Sequence, residues 1–348
     1  MSSHELYMQR CIDLAQKGIG AVAPNPMVGS VLVHENRIIG EGWHQQFGGH
    51  HAEVNCIQSV AIEDKKLIPQ STLYVSLEPC NHYGKTPPCS DLIIQSQIKK
   101  VVIACTDPFE KVNGSGIKKL TENGVEVITG ILEKEAIKLN KRFFIFHQQQ
   151  MPYVILKWAE SADGYIALSN GKTAKISNDT TDKLVHKWRS EEAAIIVGTN
   201  TVLNDNPSLT TRNWEGKNPL RIFIDKQLRI DAKIKILDHS TDTLILNLIK
   251  QEKIGNNEFV LINDESKLLE ELLQHLYEKG IQSLIVEGGT KLLQSFIEKN
   301  LWHEARVIKN TELMLKEGIS SPALKNNFNL KQALIGKDEI NYYINLSM

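Results

Sequence analysis

Short apolar runs of strand character alternate with stretches of helical spacing along almost this whole sequence, and the alternation stops once and then restarts. A helix is expected over His4–Lys17, from Leu6, Ile12 and Leu14, and Gly18 and Gly20 end it. Val28–Val33 and Arg37–Gly40 flank a turn at Glu35-Asn36 and predict a hairpin. A short helix over His51–Val60 follows, then a strand over Thr72–Leu77, a helix over Asp91–Gln97 and a doubly buried strand over Val101–Cys105. Helix Ile117–Glu122, strand Val125–Ile128 and one helix from Leu132 to Phe146 complete the first run. The polar stretch His147-Gln148-Gln149-Gln150, followed by Pro152, marks a domain boundary. The pattern resumes with strand Tyr153–Trp158, helix Asp179–Arg189 and strands Ala194–Val197, Leu220–Ile224 and Leu244–Leu248. Helix Lys267–Glu278, strand Ser283–Val286 and a helix over Thr290–Glu298 follow. Strands interleaved with helices predict two α/β domains with largely parallel sheets, and 348 residues suit two.

The 40 basic and 41 acidic residues nearly cancel, which gives no support to nucleic-acid or anionic-membrane binding. A pocket for one phosphate stays compatible with that balance. No apolar run reaches the roughly 18 residues that span a bilayer, and the polar start MSSHELYMQR lacks a signal core, so a cytoplasmic location is expected. Five cysteines in a reducing compartment argue against a disulfide framework and leave metal binding or plain burial.

Three of the donors stand in a suggestive order. His51-Ala52-Glu53 opens a helix, Pro79-Cys80 follows the strand ending at Leu77, and Cys89 closes the loop after it. One imidazole and two thiolates make a three-ligand tetrahedral zinc site whose fourth position stays open. An open position is what a catalytic zinc needs, because water bound there becomes a nucleophile near neutral pH. Glu53, on the first helical turn, reaches that water without ligating the metal, and carries its proton to a ring nitrogen and then to the leaving amine. Both cysteines are expected at helix N-termini, where amide dipoles favour thiolate. A closed structural site would instead need His82 or Glu53 as fourth ligand. Cys11, Cys56 and Cys105 lie in apolar-patterned segments and read as buried small hydrophobes. His50 reads as an exposed neighbour, while His44 stands open between a substrate-side group and a bystander.

The spacing of eight residues between Cys80 and Cys89 departs from the general deaminase pattern Pro-Cys-x-x-Cys. The whole phrase Leu77-Glu78-Pro79-Cys80-Asn81-His82-Tyr83-Gly84-Lys85-Thr86-Pro87-Pro88-Cys89 closely resembles the deaminase/reductase family of riboflavin biosynthesis. Ala23-Pro24-Asn25-Pro26-Met27-Val28-Gly29 is similar to that family's Pro-Asn-Pro-x-Val-Gly segment. The resemblance implies a cytidine-deaminase-like three-layer domain over residues 1–148 and a dihydrofolate-reductase-like α/β domain over 149–348. It implies zinc on His51, Cys80 and Cys89, a proton shuttle at Glu53, and substrate contacts at Asn25, His82, Lys85 and Asp107. One departure stands beside it: the family has Asp-Pro-Asn-Pro where this chain has Asp107-Pro108-Phe109-Glu110.

Spacing alone names no chemistry in the second half, which has neither Gly-x-Gly-x-x-Gly nor a P-loop. Glu287-Gly288-Gly289-Thr290, between a strand and a helix, reads as a plain turn or as a place where phosphate nears a helix N-terminus. The segments Leu156–Ala167, Val197–Arg212 and Val286–Gly289 resemble the reductase half of the same family. That resemblance implies NADPH contacts at Ala159, Lys175, Thr201, Asp205 and the turn Gly289, Thr290, Lys291, Leu292, Leu293, Gln294 and Ser295. It implies a ribose-phosphate site at Thr173, Arg189, Leu209, Arg212 and Glu287, with the two arginines as phosphate forks. Lys175 stands where the family often has tryptophan, Asn206 where it has aspartate, and Trp302–Lys309 lacks the usual Asp-Glu-Leu.

Two sequential steps on a phosphorylated aminopyrimidine are therefore expected: zinc-dependent deamination, then NADPH reduction of the ribosyl chain. A homodimer through the second domain is also implied. The rival is a deaminase of another nucleobase or nucleotide with a non-catalytic C-terminal dimerisation domain. It predicts Cys-x-x-Cys spacing, which the chain lacks.

Overall fold

The alternation folds into two units, Met1–Gln150 and Met151–Met348. The structure, a computed structural model, describes residues 2–83, 87–110 and 112–348.

In the first unit, α1 (Ser3–Ala15) begins with a reciprocal cap, the Ser2 side chain accepting from the Glu5 amide and the Glu5 side chain from the Ser2 amide. Strands β1 (Gly29–His34) and β2 (Arg37–Trp43) form the expected hairpin, with Glu35 and Asn36 both at positive φ. Then come α2 (Ala52–Gln58), β3 (Thr72–Val75), α3 (Cys89–Gln95), β4 (Lys100–Ile103), α4 (Ser115–Glu122), β5 (Glu126–Thr129), α5 (Glu133–Leu139) and α6 (Lys141–Gln149). The sheet order is β2-β1-β3-β4-β5, antiparallel on the hairpin side and parallel from β3 onward. Apolar residues of α1, α5 and α6 cover one face, with Cys11, Leu14, Ala136 and Phe143 against Val31 and Val102. Residues of α2, α3 and α4 cover the other, with Cys56, Ile93 and Leu120 against Leu32, Leu73 and Val101. This is the three-layer arrangement.

The single helix expected over Leu132–Phe146 is two helices that break at Asn140. The Asn140 side chain donates to the Met27 carbonyl and accepts the Met27 amide, both at 2.8 Å, so tertiary hydrogen bonds replace local ones.

The second unit contains β6 (Tyr153–Glu160), β7 (Tyr165–Ala167), α7 (Asp179–Glu191), β8 (Ala194–Val197), α8 (Thr199–Asp205), β9 (Leu220–Ile224), β10 (Thr243–Asn247), β11 (Glu252–Ile254) and β12 (Asn257–Leu261). After these come α9 (Leu268–Glu278), β13 (Ser283–Glu287), α10 (Thr290–Glu298), β14 (Glu304–Asn310), β15 (Ile319–Ser320), β16 (Asn327–Ile335) and β17 (Asp338–Asn345). Ten strands make one sheet in the order β11-β12-β10-β9-β8-β13-β6-β14-β17-β16. Its interior is parallel, and its core joins Leu156, Ile196, Leu246 and Val286 to Leu272, Leu293 and Phe296. Strand β13 inserts between β8 and β6, so the helices α8 and α10 start side by side at the ends of neighbouring parallel strands. Such a place in a parallel sheet is where ligands bind.

Candidate active sites

His51 is the N-cap of α2, in extended conformation (ψ 165°), and its side chain makes no cap bond. The imidazole is thereby free to face elsewhere, and it faces sulfur. Its Nδ1 lies 3.5 Å from Cys80 Sγ and 3.3 Å from Cys89 Sγ, and the three atoms all lie within 4.8 Å of one another. An ideal tetrahedral zinc with Zn–N about 2.0 Å and Zn–S about 2.3 Å puts N and S roughly 3.5 Å apart. The donor set and its spacing fit that ion. Among the described residues this is the sole group of three or more His, Cys, Asp or Glu close enough to hold a metal.

Helix α2 reaches this position because β2 carries glycine beneath it. A Cβ on Gly42 would lie 2.3 Å from the Cys56 amide nitrogen and 2.6 Å from the Ala52 carbonyl oxygen. Cys89 is the first residue of α3, the helix-start position expected, although without metal its thiol is not favoured as thiolate there. Cys80 is not at a helix N-terminus; its sulfur instead accepts the Cys89 amide, at 3.4 Å, and so meets the start of α3 from outside. The hydrogen bond from Cys89, with His51 adding to it, pulls the Cys80 thiol well below its ordinary value. The Cys89 thiol is pushed up, first by that same bond and then by burial.

Glu53 is 3% exposed, on the first turn of α2, and shares a hydrogen bond with the Cys89 thiol. Burial lifts its carboxyl to about 6, against the opposing pull of His51. A carboxylate poised there both takes and gives a proton near neutrality.

Around this centre, Asn25 donates from Nδ2 to His44 Nε2 at 3.1 Å, and His44 Nδ1 donates to the His50 carbonyl at 2.9 Å, which fixes the tautomer. His44 is buried, and its ring stands edge-on to His51 with centroids 5.5 Å apart. His44 thus holds Asn25 beside the metal ligand. His50 is exposed, and Cys11, Cys56 and Cys105 are buried, as expected. Asp107 is 7% exposed, and burial raises its carboxyl to about 7. Its Oδ1 accepts the Phe109 amide at 2.8 Å. His82 lies edge-on to Phe109, 6.3 Å between centroids, and its buried Nδ1 has no partner among the described residues. Phe109 in turn packs on His147, so an apolar ring fills the place of the family's asparagine. Lys85 lies outside the described residues.

In the second unit Glu287, at the end of β13, is the charged centre. Arg189 grips it from α7 through Nε and Nη2, at 2.9 and 2.7 Å, and Lys157 Nζ lies 3.5 Å away. Burial alone would raise the Glu287 carboxyl; the charges of Arg189 and Lys157 outweigh it and hold it at about 2. The Arg189 fork is therefore committed to Glu287, with Nη1 at 3.4 Å from the Thr210 carbonyl. Arg212 is exposed and donates to Ser208 Oγ at 3.2 Å, and Leu209 is buried at φ 52°. Lys157 belongs to the phrase that carries the resemblance, but spacing gave it no role; its pairing with a residue 130 positions away did not show in the sequence.

Gly198 and Gly289 cap α8 and α10, and a Cβ on Gly288 would lie 3.4 Å from the Gly198 amide nitrogen. Two helix N-termini thus converge, and Thr201 Oγ1 accepts the Gly289 amide at 3.2 Å. The side chains of Leu292 and Leu293 belong to the core, Gln294 accepts the Ala323 amide, Ser295 donates to the Lys291 carbonyl and Thr290 donates to the Ser320 carbonyl. Of this turn, the backbone of Gly289–Lys291 forms the start of α10. Ala159 sits on β6 opposite Ile308. Thr173 donates to Asp205, and Lys175 pairs with Asp182 and Asp179. Asn206 caps α8 at φ 42°, a conformation asparagine tolerates well, and accepts the Lys235 amide at 2.9 Å.

The sequence profile described as the cytidine and deoxycytidylate deaminase zinc-binding region matches residues 1–105, and that of the RibD C-terminal domain matches residues 152–311. The riboflavin biosynthesis protein RibD of Aquifex aeolicus is 38% identical over 319 residues, covering 90% of this chain and 88% of its own. That of Bacillus amyloliquefaciens is 40% identical over 310 residues, covering 86% and 82%. This chain belongs to the RibD family. RibD proteins have also been solved. The deaminase/reductase of Thermotoga maritima superposes with a TM-score of 0.89 at 35% identity over 99% of both chains, and Acinetobacter baumannii RibD with 0.88 at 30% over 98% of both. As a RibD, the chain is a bifunctional riboflavin-biosynthesis enzyme, with a zinc-binding deaminase domain and an NADPH-dependent reductase domain. No helix among the described residues is long and apolar enough to cross a membrane.

Proposed function

We propose that the first domain, residues 1–148, deaminates 2,5-diamino-6-ribosylamino-4(3H)-pyrimidinone 5′-phosphate. The second, residues 149–348, then reduces the product with NADPH to 5-amino-6-(5-phosphoribitylamino)uracil. The observation that carries this reading is the trio His51, Cys80 and Cys89 with Glu53 buried against it. The Thermotoga maritima relative is named for the same deaminase and reductase pair.

Zinc, when held by His51, Cys80 and Cys89, supplies an activated water and a Lewis acid. Glu53 would take that water's two protons in turn, passing the first to the ring nitrogen and the second to the departing amine. The net reaction exchanges the amino group of the ring carbon for a carbonyl oxygen and frees ammonia. Asn25, held by His44, and Asp107 orient the ring, His82, whose Nδ1 has no partner among the described residues, contacts the substrate, and Lys85 neutralises the phosphate. In the second domain the helix starts at Gly198 and Gly289 favour the pyrophosphate of NADPH, alongside Ala159, Lys175, Thr201 and Asp205. Thr173, Leu209 and the exposed Arg212 take the ribose phosphate, while Glu287 and Arg189 form the floor of that site. NADPH, when bound, would supply the hydride for C1′ of the opened ribose, so the chain's part is chiefly orientation.

The enzyme works in the cytoplasm, as a homodimer through its second domain. Ammonia release and NADPH absorbance, followed separately in one reaction with the diamino substrate, test both halves. Ammonia without NADPH oxidation would leave the deaminase alone standing, and neither signal would end the reading.

A further inference from the structure

Helix α4 has no cap of its own: Gly114 stands at its N-cap, at φ 84°, with no side chain to offer. The cap comes from Glu78, on the turn that leads out of β3 and two residues before Cys80. Its Oε1 accepts the amides of Gly116 and Ile117, at 2.9 and 3.2 Å. Its Oε2 accepts those of Gly114 and Asp107, at 2.9 and 3.2 Å. One buried carboxylate thus satisfies four amides drawn from both ends of the segment 107–117, which is a complete set for its two oxygens. The backbone is locked from both sides. Glu78 donates its own amide to the Cys105 carbonyl at 3.0 Å, and a Cβ on Gly116 would lie 2.0 Å from the Pro79 carbonyl oxygen. The adjoining residue continues the tie: Asn81 donates to the Ser115 carbonyl at 3.3 Å and accepts from Ser90, beside Cys89, at 3.2 Å.

We infer that Glu78 is a positioning residue for deamination, binding the strand end that delivers Cys80 to the loop that delivers Asp107, so that metal side and substrate side keep one fixed separation. This rests on the deaminase reading above. Among the described residues the Glu78 carboxylate bonds only to backbone amides and to none of the metal ligands. It acts through backbone amides alone, so its removal moves Asp107 while three independent ligands still hold the ion.

The test is Glu78→Gln in the full chain. Glutamine keeps the shape, but its amide group turns a donor toward amides that need an acceptor. The expected result is a KM for the diamino substrate raised about tenfold or more, with kcat changed far less. Bound zinc and NADPH oxidation on the deaminated substrate should stay at wild-type levels. A plain stability role would lower the melting temperature and leave KM alone, and that outcome overturns the inference. Loss of zinc together with kcat overturns it too, since Glu78 would then serve the metal loop only. If the variant cannot be isolated, Gly114→Ala replaces it; the added methyl meets nothing within 4 Å, but the backbone is strained at φ 84°. A smaller rise in KM supports the role, and an unchanged KM overturns it. Amide exchange measured without substrate checks that the cap itself is lost: Gly114, Gly116 and Ile117 should be protected in wild type and exposed in Glu78→Gln, and unchanged protection overturns the inference. A wild-type chain that releases no ammonia sinks the deaminase reading, while an active one with unaltered variants sinks this inference.

Discussion

Arg189 lays both arms of its guanidinium on Glu287, Nε on one oxygen at 2.9 Å and Nη2 on the other at 2.7 Å, with the Lys157 ammonium alongside. All three side chains are largely buried, so removing the shared anion leaves two cations unpaired in a poorly solvated place. Glu287→Gln should cost about 3 kcal/mol or more in the second unit and abolish most NADPH oxidation, with ammonia release intact. Thermal unfolding together with the two separate assays checks this. The pH dependence follows from the carboxyl held at about 2. A depressed folded value means the stabilisation is complete above the unfolded carboxylate's range, about 4.3, and drains away as pH falls toward 2. Wild type and Glu287→Gln should therefore converge in stability on acidification; a constant gap from pH 7 to pH 3 would count against the pairing.

Glu53→Gln keeps the side chain's volume and removes its capacity to carry a proton. Ammonia release should fall by about a thousandfold or more, at the upper end of what general acid–base catalysis supplies. Metal analysis should find zinc retained, because Glu53 is not among the three donors. Zinc lost along with activity would make Glu53 a ligand and the site a closed one.

Zinc must displace the proton that Cys89 keeps in its absence. Its bond with Cys80, and then its burial, hold that thiol in the protonated form, while Cys80 is already pulled toward thiolate. Affinity should rise with pH between 6 and 8 by at least about tenfold per unit, the slope of the proton released by Cys89, and more steeply toward pH 6, where His51, its pKa raised by the Cys80 bond, gives up a second. Competition against a chelator at a series of pH values measures it, and a flat profile would contradict the assignment of Cys89.

Gly42→Ala tests how α2 is seated. The methyl group would overlap the backbone of Cys56 and Ala52, and backbone cannot yield as a flexible side chain does. A loss of about 1–3 kcal/mol is expected, together with weaker zinc binding, since His51 rides at the head of the same helix. Unfolding curves with and without the metal separate the two effects.

The zinc donors could be read in the sequence because each stands at the edge of an element whose own pattern is clear: a helix start after His51, a strand end before Cys80, a helix start at Cys89. The hairpin at Glu35-Asn36 was legible for a similar reason, since asparagine accepts positive φ at little cost. What stayed hidden depended on distant partners. The helical pattern runs unbroken through Asn140, and only its bonds to Met27, 113 residues earlier, stop the helix. Helix α8 has the sequence Thr-Asn-Thr-Val-Leu-Asn-Asp, poor in helix formers, and tertiary packing overrides propensity there. Strand β14 hides behind two buried charges, Glu304 and Arg306, which pair with each other at 2.7 Å and so blur the apolar pattern. Glu78 gave no sign of its work because the four amides it serves lie 29 to 39 residues further on.

The imidazole of the zinc site stands 29 residues before one sulfur and 38 before the other, and the pairing of β2, β1 and β3, with α2 seated on β2, is what gathers them. A growing chain therefore offers no ready-made claw for the ion; the receptacle exists only once the sheet is assembled. Scarcity of metal should then yield intact but idle molecules, restored by later supply, in place of collapsed debris.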